Sequence, residues 1–363
     1  MADMFRNEEL LKKLLLRDVC PEISERAKNE YRGKTILVTG GGGSIGSHLC
    51  RALAECGAAH LVIFDIYENR AFELCDELSE KYASQVYFTV EIGSVRDRDR
   101  LSQLFSQYDF DVVFHAAAHK HVPLMERSPE EAVKNNIFGT YNVLCESEKH
   151  ICKKVVVIST DKAVNPESVM GATKRFCEMM VTAKKDSSTS FSAVRFGNVA
   201  GSAGSLLPLL AARIERGERL CITDKRMMRY FMTCEEAASL CLEAGAASES
   251  GELFVLDMGR QINVYDIMCR LIIAMGLEPG RDVVIEETGI RPGEKLSERL
   301  LYGPGTKRTE NGRIFIEKEE PLTVEETERR LADLRCAVET GDRRTVIQAL
   351  AKAVPESRLK TEE

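Results

Sequence analysis

The sequence predicts an α/β protein built on a doubly wound parallel (Rossmann) sheet, with a smaller, partly interleaved C-terminal substrate domain. From Lys34 to about residue 200, short apolar runs alternate with amphipathic segments of helical length. A glycine-rich turn follows the first run, and after residue 200 the pattern changes to mixed helices, short strands and Gly/Pro turns. Continuous apolar runs are typical of strands buried on both faces, and their alternation with helices is typical of a doubly wound sheet.

Six apolar runs are the strand candidates. They are TILVT (35–39), LVIFD (61–65), VYFTV (86–90), DVVFHAAA (111–118), VVVIST (155–160) and FSAVRFGNV (191–199). Between them, Ser128, Pro129 and Glu131 predict a helix start with a capping box. Near the end of the chain, Thr323 and Glu326 predict another.

These patterns divide the chain into four parts. We expect an N-terminal helical segment (1–30), an NAD-binding Rossmann domain (31–200), a substrate-binding region (201–320), and C-terminal helices with a tail (321–363). The strand and helix around 233–258 are candidates for returning to the Rossmann domain.

Composition and charge exclude several classes of protein. In 363 residues, 44% are hydrophobic and 29% charged, which indicates a compact globular protein. Lysine and arginine number 50 against 57 acidic residues, a net charge of −7, so nucleic acid is not an expected partner. The apolar runs are shorter than the roughly 18–20 residues of a membrane span. The N-terminal leucines are interrupted by charges and precede no cleavage site, so we expect an unsecreted, cytoplasmic protein.

The twelve cysteines are scattered, and none forms a C-x-x-C pair. In an unsecreted chain of this size, they are expected to be free thiols.

The turn Thr39–Gly46 (TGGGGSIG) follows the first strand and opens a helix. A pyrophosphate needs backbone N–H groups at a helix N-terminus, and glycines leave room for it. Asp65 ends the second strand, where a carboxylate accepts hydrogen bonds from the ribose hydroxyls of NAD. A solvated strand-end acid is the alternative interpretation, and Arg70 keeps NADP open as the less favoured cofactor. The predicted cofactor-binding residues are Thr39, Gly40, Gly43, Ser44, Ile45, Gly46, Asp65, Ala116, Ala117 and Lys174.

A second polar segment, Thr160-Asp161-Lys162, follows the fifth strand. Ligands of open α/β sheets bind at the carboxyl ends of the strands, so Asp161 and Lys162 should project toward a bound nicotinamide. Met170 and Lys174 are spaced i, i+4 and share one face of the next helix. A surface turn with an incidental Asp-Lys pair is the alternative.

The sequence resembles the extended short-chain dehydrogenase/reductases that act on nucleotide sugars, and within them the UDP-N-acetylglucosamine 4,6-dehydratase and polysaccharide-biosynthesis group. The resemblance covers roughly residues 12 to 350. It rests on ILVTGGGGSIGS (36–47), FHAAAHKHVPLMERSPEEAVKNNIFGT (114–140), ISTDKAVNPESVMGATKR (158–175), VRFGNVAGSAGSLLPL (194–209), RYFMT (229–233), FVLDMG (254–259) and GIRPGEKLSERLL (289–301).

Two features depart from the common pattern of this superfamily. Met170 stands where most members have the tyrosine that deprotonates the alcohol, and a thioether is no general base. The same replacement marks the configuration-retaining branch of the dehydratases, and it leaves open what accepts the 4-hydroxyl proton. Many retaining relatives also carry membrane helices before the segment that starts this chain, which indicates a naturally soluble form or a trimmed one.

The resemblance implies an NAD-dependent lyase that converts UDP-N-acetylglucosamine to UDP-2-acetamido-2,6-dideoxy-4-hexulose. Hydride leaves C4, Lys162 removes the C5 proton, Asp161 protonates the departing 6-hydroxyl, and hydride returns to C6. Thr160 would hydrogen-bond the substrate's hydroxyl region and Lys174 the ribose. Asp161 must be neutral and Lys162 unprotonated when they act, so each needs a shifted pKa, that of Asp161 upward and that of Lys162 downward, which a desolvated cleft favours.

The resemblance further implies a set of substrate-binding residues. They are Lys120, His121, Asn198, Arg229, Arg291 and Glu294. The alternatives are a solvated surface role for Arg291 and a turn-capping role for Asn198. No carboxylate or cysteine accompanies His115, His119 and His121 at ligand spacing, so we predict no metal site.

Two other functions remain open. A nucleotide-sugar epimerase would use the same cofactor and a 4-keto intermediate without eliminating water. A catalytically silent NAD-binding regulator is suggested by the missing tyrosine. For the dehydratase, the expected partners are a UDP-sugar substrate and further copies of the chain in a homo-oligomer.

Overall fold

The computed structural model describes residues 4–5, 7–19, 21–291, 293–302 and 306–360. Its strands are β1 (Thr35–Thr39), β2 (His60–Asp65), β3 (Tyr87–Ile92), β4 (Val112–His115), β5 (Lys154–Ile158), β6 (Ser190–Arg195), β7 (Asn198–Ala200), β8 (Leu220–Ile222), β9 (Met228–Arg229), β10 (Phe231–Thr233), β11 (Glu252–Leu256), β12 (Ile262–Asn263), β13 (Ile285–Glu287), β14 (Thr306–Arg308) and β15 (Ile314–Glu317).

The α-helices in this part of the chain are α1 (Glu8–Leu15), α2 (Glu25–Tyr31), α3 (Ser44–Glu55), α4 (Glu68–Tyr82), α5 (Arg98–Gln107), α6 (Val122–Arg127), α7 (Pro129–Ala132), α8 (Gly139–Lys149), α9 (Val169–Thr182), α10 (Leu206–Glu215), α11 (Cys234–Ala247), α12 (Val264–Ala274), α13 (Val324–Glu339) and α14 (Arg343–Ala353). A π-helix, Val133–Phe138, joins α7 to α8, and a 3₁₀ turn, Asp161–Ala163, follows β5.

Nine strands form one sheet in the order β14-β15-β11-β6-β5-β4-β1-β2-β3. Every pair from β11 to β3 is parallel, whereas β15 runs antiparallel to both β11 and β14. The helices cover both faces, as alternate residues of β1 illustrate: Leu37 packs in one core and Ile36 and Val38 in the other. The predicted α/β doubly wound sheet is confirmed.

The third predicted strand is less buried than expected. β3 forms one edge of the sheet, and among the described residues it pairs with β2 alone. Tyr87, its first residue, is 67% exposed. The run VYFTV therefore indicates a strand correctly, but the expectation that both of its faces are covered is wrong.

The sixth predicted strand is interrupted. β6 ends at Arg195, and a separate short strand, β7, starts at Asn198 and pairs with β10 outside the main sheet. At the break, the Phe196 carbonyl accepts a hydrogen bond from the Asp161 N–H at 2.9 Å. A Cβ at Gly197 would lie 2.8 Å from the Asp161 carboxylate, so a side chain here would displace that buried group.

A third core, outside the Rossmann body, lies among α1, α10, α12 and the short strands β8 and β10. Its centre includes Leu14, Leu210, Ile267 and Leu271. α11 and β11 come later in the chain than α10 but belong to the Rossmann body, where β11 lies between β6 and β15. The cleft described below lies between these two bodies.

The two predicted capping boxes have different outcomes. Ser128 makes no side-chain capping bond, and the Glu131 carboxylate instead pairs with Arg96 and Lys134, so this capping box is wrong. Thr323 does cap α13, since its hydroxyl accepts from the Glu326 N–H at 3.1 Å. The second half of this capping box is absent, because the Glu326 carboxylate instead pairs with Arg329 and Arg330.

Eleven of the twelve cysteines lie within the described residues, and all eleven are free thiols. Across the same residues, no helix combines the length and the apolar composition that a membrane crossing requires.

Candidate active site

A cleft of about 700 Å³ opens beside the phosphate loop, and a smaller cavity of about 390 Å³ adjoins it. Both are bordered by Gly40, Gly43, Arg70 and Ala116. The larger space extends toward β5, α9 and the third core, and the smaller one toward Asp65 and Ala117. Together they form an elongated site along the carboxyl ends of the parallel strands, as expected for this fold.

The phosphate loop is shaped by glycines that no other residue could replace without displacement. Gly40 has φ +67°, and a Cβ there would lie 2.7 Å from the Ala117 backbone. At Gly46, a Cβ would lie 2.1 Å from the Gly40 carbonyl oxygen. Gly43 immediately precedes α3. The N–H groups of the first turn of this helix have no hydrogen-bond partner within the helix, and they lie at the end of α3 that borders the cleft. This cradle fits the pyrophosphate of a dinucleotide.

Asp65 is fixed by the backbone of the loop it faces. One carboxylate oxygen accepts from the Gly42 N–H and the other from the Tyr67 N–H, each at 2.9 Å. Each oxygen retains a lone pair for a further donor. Arg70 is exposed at the border of both cavities, and it makes no ion pair with a described residue.

Thr39 lies away from the cofactor cradle, so its predicted role in cofactor binding is wrong. It is fully buried, and its hydroxyl is 2.7 Å from His115 Nδ1. His115 Nε2 is 2.9 Å from the Thr140 hydroxyl, so both ring nitrogens are engaged. Burial, together with the charge of Lys174, lowers the pKa of His115 to about 3. This histidine is a neutral bridge between β1, β4 and α8.

The Thr160-Asp161-Lys162 segment forms the polar floor of the cleft. Thr160 and Lys162 line the cleft, whereas Asp161 is fully buried. Asp161 Oδ1 accepts from the Thr160 hydroxyl and from Lys162 Nζ, both at 3.0 Å. Its Oδ2 has no hydrogen-bond partner among the described residues. The expectation that Asp161 projects into the cleft is wrong, because the 3₁₀ turn draws its N–H to the Phe196 carbonyl.

Lys162 is held between two oxygens and is 23% exposed. Its Nζ donates to Asp161 Oδ1 and, at 3.1 Å, to Asn198 Oδ1. Burial lowers the pKa of Lys162, but the carboxylates of Asp161 and Glu298 outweigh burial and raise that pKa above its usual value. The predicted fall is therefore wrong for the protein without substrate, since two carboxylates stabilise the ammonium form.

Helix α9 presents Met170 and Lys174 to the cleft. Ser168 caps the helix by accepting from the Gly171 N–H at 3.1 Å, which places both side chains on its first turns. Both are more than nine-tenths buried. Lys174 makes no hydrogen bond or ion pair with a described residue, so its ammonium group is available to a ligand.

On the opposite wall, Lys120 and His121 meet the loop after β7. Lys120 Nζ donates to the Ala203 carbonyl at 3.0 Å, and the Ala203 N–H donates to the Ser44 hydroxyl at 2.9 Å. Burial lowers the pKa of Lys120, and burial together with the Lys120 charge lowers the pKa of His121. Lysine and histidine thus provide donors near the phosphate loop.

Three further predicted substrate residues line the far end of the cleft. Arg229 is buried, and its guanidinium donates to the carbonyls of Met228, Lys295 and Leu296. Arg291 is exposed, and its N–H donates to Glu294 Oε2 at 3.3 Å within the turn. Arg229 therefore stabilises the backbone that forms the wall of the cleft. The Arg291 side chain, by contrast, is open to solvent.

Sequence reasoning missed the polar clamp at Asn136. Its Oδ1 accepts from the His119 N–H at 2.8 Å, and its Nδ2 donates to the His119 carbonyl and the Thr173 hydroxyl, both at 3.0 Å. This amide therefore ties the loop after β4 to α9. The sequence does show a polar residue, Asn136, within the largely buried segment AVKNNIFGT. A π-helix has no recognisable sequence pattern, however, so the direction of the Asn136 side chain could not be predicted.

The sequence is similar to several characterised and uncharacterised proteins. It is 48% identical over 274 residues to the probable polysaccharide biosynthesis protein EpsC of Bacillus subtilis (strain 168), covering 75% of this chain and 46% of that one. It is 36% identical over 277 residues to a UDP-N-acetylglucosamine 4,6-dehydratase (inverting) of Campylobacter jejuni, covering 75% and 78%. The chain thus spans about half the length of the first of these relatives.

The fold has a matching solved structure, and a family model covers most of the chain. The X-ray structure of Pen from Bacillus thuringiensis superposes with a TM-score of 0.70 at 33% identity, covering 81% of this chain and 89% of that one. Residues 36–319 match the model of the polysaccharide biosynthesis protein family, and these include both the glycine cradle and the Thr-Asp-Lys floor. The chain therefore belongs to the polysaccharide biosynthesis protein family of extended short-chain dehydrogenase/reductases.

Proposed function

We propose that this protein is an NAD-dependent nucleotide-sugar 4,6-dehydratase that converts UDP-N-acetylglucosamine to UDP-2-acetamido-2,6-dideoxy-4-hexulose. The observation that carries the proposal is the buried Asp161 carboxylate, hydrogen-bonded to both Thr160 and Lys162 at the floor of the cleft. An adjacent acid and base suit elimination of water across two neighbouring carbons. The Campylobacter relative named a UDP-N-acetylglucosamine 4,6-dehydratase supports the same reaction and substrate.

The residues of the smaller cavity and the phosphate loop fit NAD. Gly40, Gly43 and Gly46 leave space for a pyrophosphate, and Asp65 can accept from ribose hydroxyls while opposing a 2′-phosphate. Lys174, unpaired within the described residues, would hold the nicotinamide ribose. When bound, NAD supplies the hydride chemistry, taking hydride from C4 and returning it to C6.

Asp161 and Lys162 can reach their active forms by exchanging one proton. In the resting ion pair, Lys162 Nζ lies 3.0 Å from Asp161 Oδ1. Transfer of the proton along this hydrogen bond yields a neutral amine and a neutral acid together, without proton uptake from water. Entry of the sugar dries the cleft, and burial in a less polar medium favours the neutral pair over the charged one. Lys162 then removes the C5 proton, and the buried Asp161 protonates the departing 6-hydroxyl through the Thr160 hydroxyl, which contacts Asp161 and lines the cleft.

The 4-hydroxyl proton needs an acceptor other than Met170. Thr160 lines the cleft and donates to Asp161, so a relay from the sugar through Thr160 is available while Asp161 is still a carboxylate. The proton gained in this way makes Asp161 the neutral acid, and Lys162 then loses its own proton to water instead of to Asp161. A bound water is the other acceptor that we consider. In either case, Met170 acts as an apolar wall of the sugar pocket.

Incubation of the purified chain with UDP-N-acetylglucosamine and NAD tests the proposal. We expect a 4-keto-6-deoxy sugar nucleotide, detected by mass spectrometry as loss of water and by NMR as a new C6 methyl group. A C4 epimer would instead support the epimerase, and an unchanged substrate with NAD bound would support the silent regulator. Asp161→Asn is the matched control, because it keeps the shape of the floor and removes the acid. A homo-oligomer and a cytoplasmic location stay predictions.

A further inference from the structure

The last two helices of the described chain pack on α9, the helix that carries Lys174. They belong to a segment, residues 324–358, that comprises α13, α14 and the turn after them. This segment follows the part of the chain that matches the family model, which ends at residue 319. Ile347 and Leu350 of α14 are buried in the same core as Phe176 of α9. The C-terminal helices are therefore an addition to the family fold that lies directly against the active site.

Two residues after α14 contact the chain near its catalytic groups. The Arg358 N–H donates to the carbonyl of Pro166, four residues after Lys162, at 2.8 Å. The Glu356 carboxylate accepts from Arg175 Nε at 2.6 Å, and the two side chains are 27% and 10% exposed. The attraction within this ion pair is strengthened because most of it is removed from water. One contact thus precedes α9, and the other lies on it.

A third contact runs through α6, which forms part of the cleft wall. At the start of α14, Arg343 Nε donates to the Glu126 carbonyl at 3.1 Å. The Glu126 carboxylate in turn accepts from the N–H of Val169, the first residue of α9, at 2.7 Å. A negative charge is favourable at the N-terminus of a helix. Leu124 and Met125, beside Glu126, line the cleft, so this contact joins α14 to both walls.

The segment between these contacts, residues 163–169, joins the catalytic loop to α9 and has a strained backbone. Asn165 has φ +44°, in the left-handed region, which a non-glycine residue keeps only where its surroundings hold it. The Tyr302 hydroxyl donates to the Ala163 carbonyl at 2.7 Å and accepts from the Asn165 N–H at 3.3 Å. Tyr302 thus holds the beginning of the segment, whereas the contacts described above hold its end.

We propose that residues 324–358 are a C-terminal brace for the active site, which holds the 163–169 segment and thereby keeps the loop with Lys162 in place against α9. The catalytic consequence rests on the proposed dehydratase function, whereas the effect on the 163–169 segment does not. Glu356 and Arg358 act through other residues of the chain and are positioning residues.

Hydrogen–deuterium exchange in the full-length protein, without any sugar nucleotide, tests the brace. Arg358→Pro removes the N–H that binds the Pro166 carbonyl. Arg358→Ala is the matched control, because it keeps that N–H and removes only an exposed side chain. We expect peptides within 160–169 to exchange about 5- to 10-fold faster in Arg358→Pro, since local opening becomes easier, and to be unchanged in Arg358→Ala. Peptides from β1 and β2 are the internal reference and should exchange equally in all proteins.

Turnover of a second pair of variants measures the catalytic consequence. Glu356→Met breaks the ion pair with Arg175, whereas Glu356→Gln keeps an oxygen that can accept from Arg175 Nε. We expect Glu356→Met to lower kcat about 3- to 10-fold with little change in KM, because the reacting groups are displaced while the substrate-binding residues remain. Glu356→Gln should retain most of the activity.

Three results would overturn the proposal. They are unchanged exchange within 160–169 in a folded Arg358→Pro protein, an equal rise in Arg358→Ala, and a rise that extends to β1 and β2. Should Arg358→Pro fail to fold, exchange in Glu356→Met is compared with that in Glu356→Gln, and equal exchange would overturn the proposal in the same way. Unchanged kcat of Glu356→Met in an active enzyme would contradict the catalytic role. Faster exchange in a protein without dehydratase activity would support the brace and contradict only the proposed function.

Discussion

The two halves of the cleft are built in opposite ways. The cofactor half comes from one continuous stretch, Gly40–Gly46, together with Asp65, and it relies on backbone N–H groups and on the absence of side chains. The catalytic half gathers side chains from the 160–165 loop, α9, β7 and residues 295–302. The first half depends on space, and the second depends on the balance of buried charges.

This difference predicts two kinds of sensitivity to mutation. An added methyl group in the phosphate loop meets backbone atoms that cannot move aside, so the cofactor half should fail through steric exclusion. In the catalytic half, isosteric substitutions keep the packing but change charge, so the fold should survive while turnover falls. Four predictions compare the halves, from the largest expected effect to the smallest.

Removing the acid or the base should have the largest effect. We expect Asp161→Asn and Lys162→Ala each to lower turnover by roughly 10² to 10⁴, the usual range for a general acid or base. Cofactor affinity, measured by calorimetry, should be unchanged. Lys162→Ala should also abolish exchange of the C5 proton with deuterated water, and persistence of that exchange would assign the base elsewhere.

In the cofactor half, Gly46→Ala should lower NAD affinity about 100-fold or more. The new Cβ would lie 2.1 Å from the Gly40 carbonyl oxygen, so the turn must open. The matched control is Gly217→Ala, at a glycine with no atom within 4 Å of an added Cβ, which should cost only about 1 kcal/mol of stability through its positive φ. Equal NAD affinities for the two variants would contradict the steric argument.

Asp65→Ala should weaken NAD binding by about 1.5 to 3 kcal/mol, the cost of losing hydrogen bonds to a charged group. It also removes the acceptor for the Gly42 and Tyr67 N–H groups, so part of the loss comes from the loop itself. Relative preference for NADP should rise, and the second substitution Arg70→Ala should reverse that rise. Unaltered NAD affinity in titration calorimetry would remove Asp65 from the cofactor site.

The smallest effect is expected at Met170. Met170→Leu keeps the volume of an apolar wall and should cost under about 1.5 kcal/mol in turnover. Thr160→Val keeps the shape but removes the hydroxyl that donates to Asp161, so it should lower turnover more. A fully active Thr160→Val beside an inactive Met170→Leu, at saturating UDP-N-acetylglucosamine, would require a different route for the proton.

Local sequence determined the sheet, its helices and the phosphate cradle. The apolar runs specify strands covered on both faces, and the position of Gly40, Gly43 and Gly46 between a strand and a helix specifies the turn. These features leave a local signal of periodicity and spacing, which is why they can be predicted from the sequence. Even here, an edge position decided the exposure of β3, because the number of neighbours of a strand is a property of the whole sheet.

Only the tertiary structure decided the pKa of Lys162 and the contacts that hold the backbone of the 160–165 loop. Thr39 and Asp161 stand beside the expected motifs, yet the fold buries both, because each meets a partner from another strand or loop: His115 for Thr39 and the Phe196 carbonyl for Asp161. Glu298 and Tyr302 lie more than a hundred positions from Lys162 in the sequence, and no local pattern joins them. The pKa of Lys162 rises because the fold brings Glu298 to a lysine that already has Asp161 beside it, and electrostatic energy depends on distance in space.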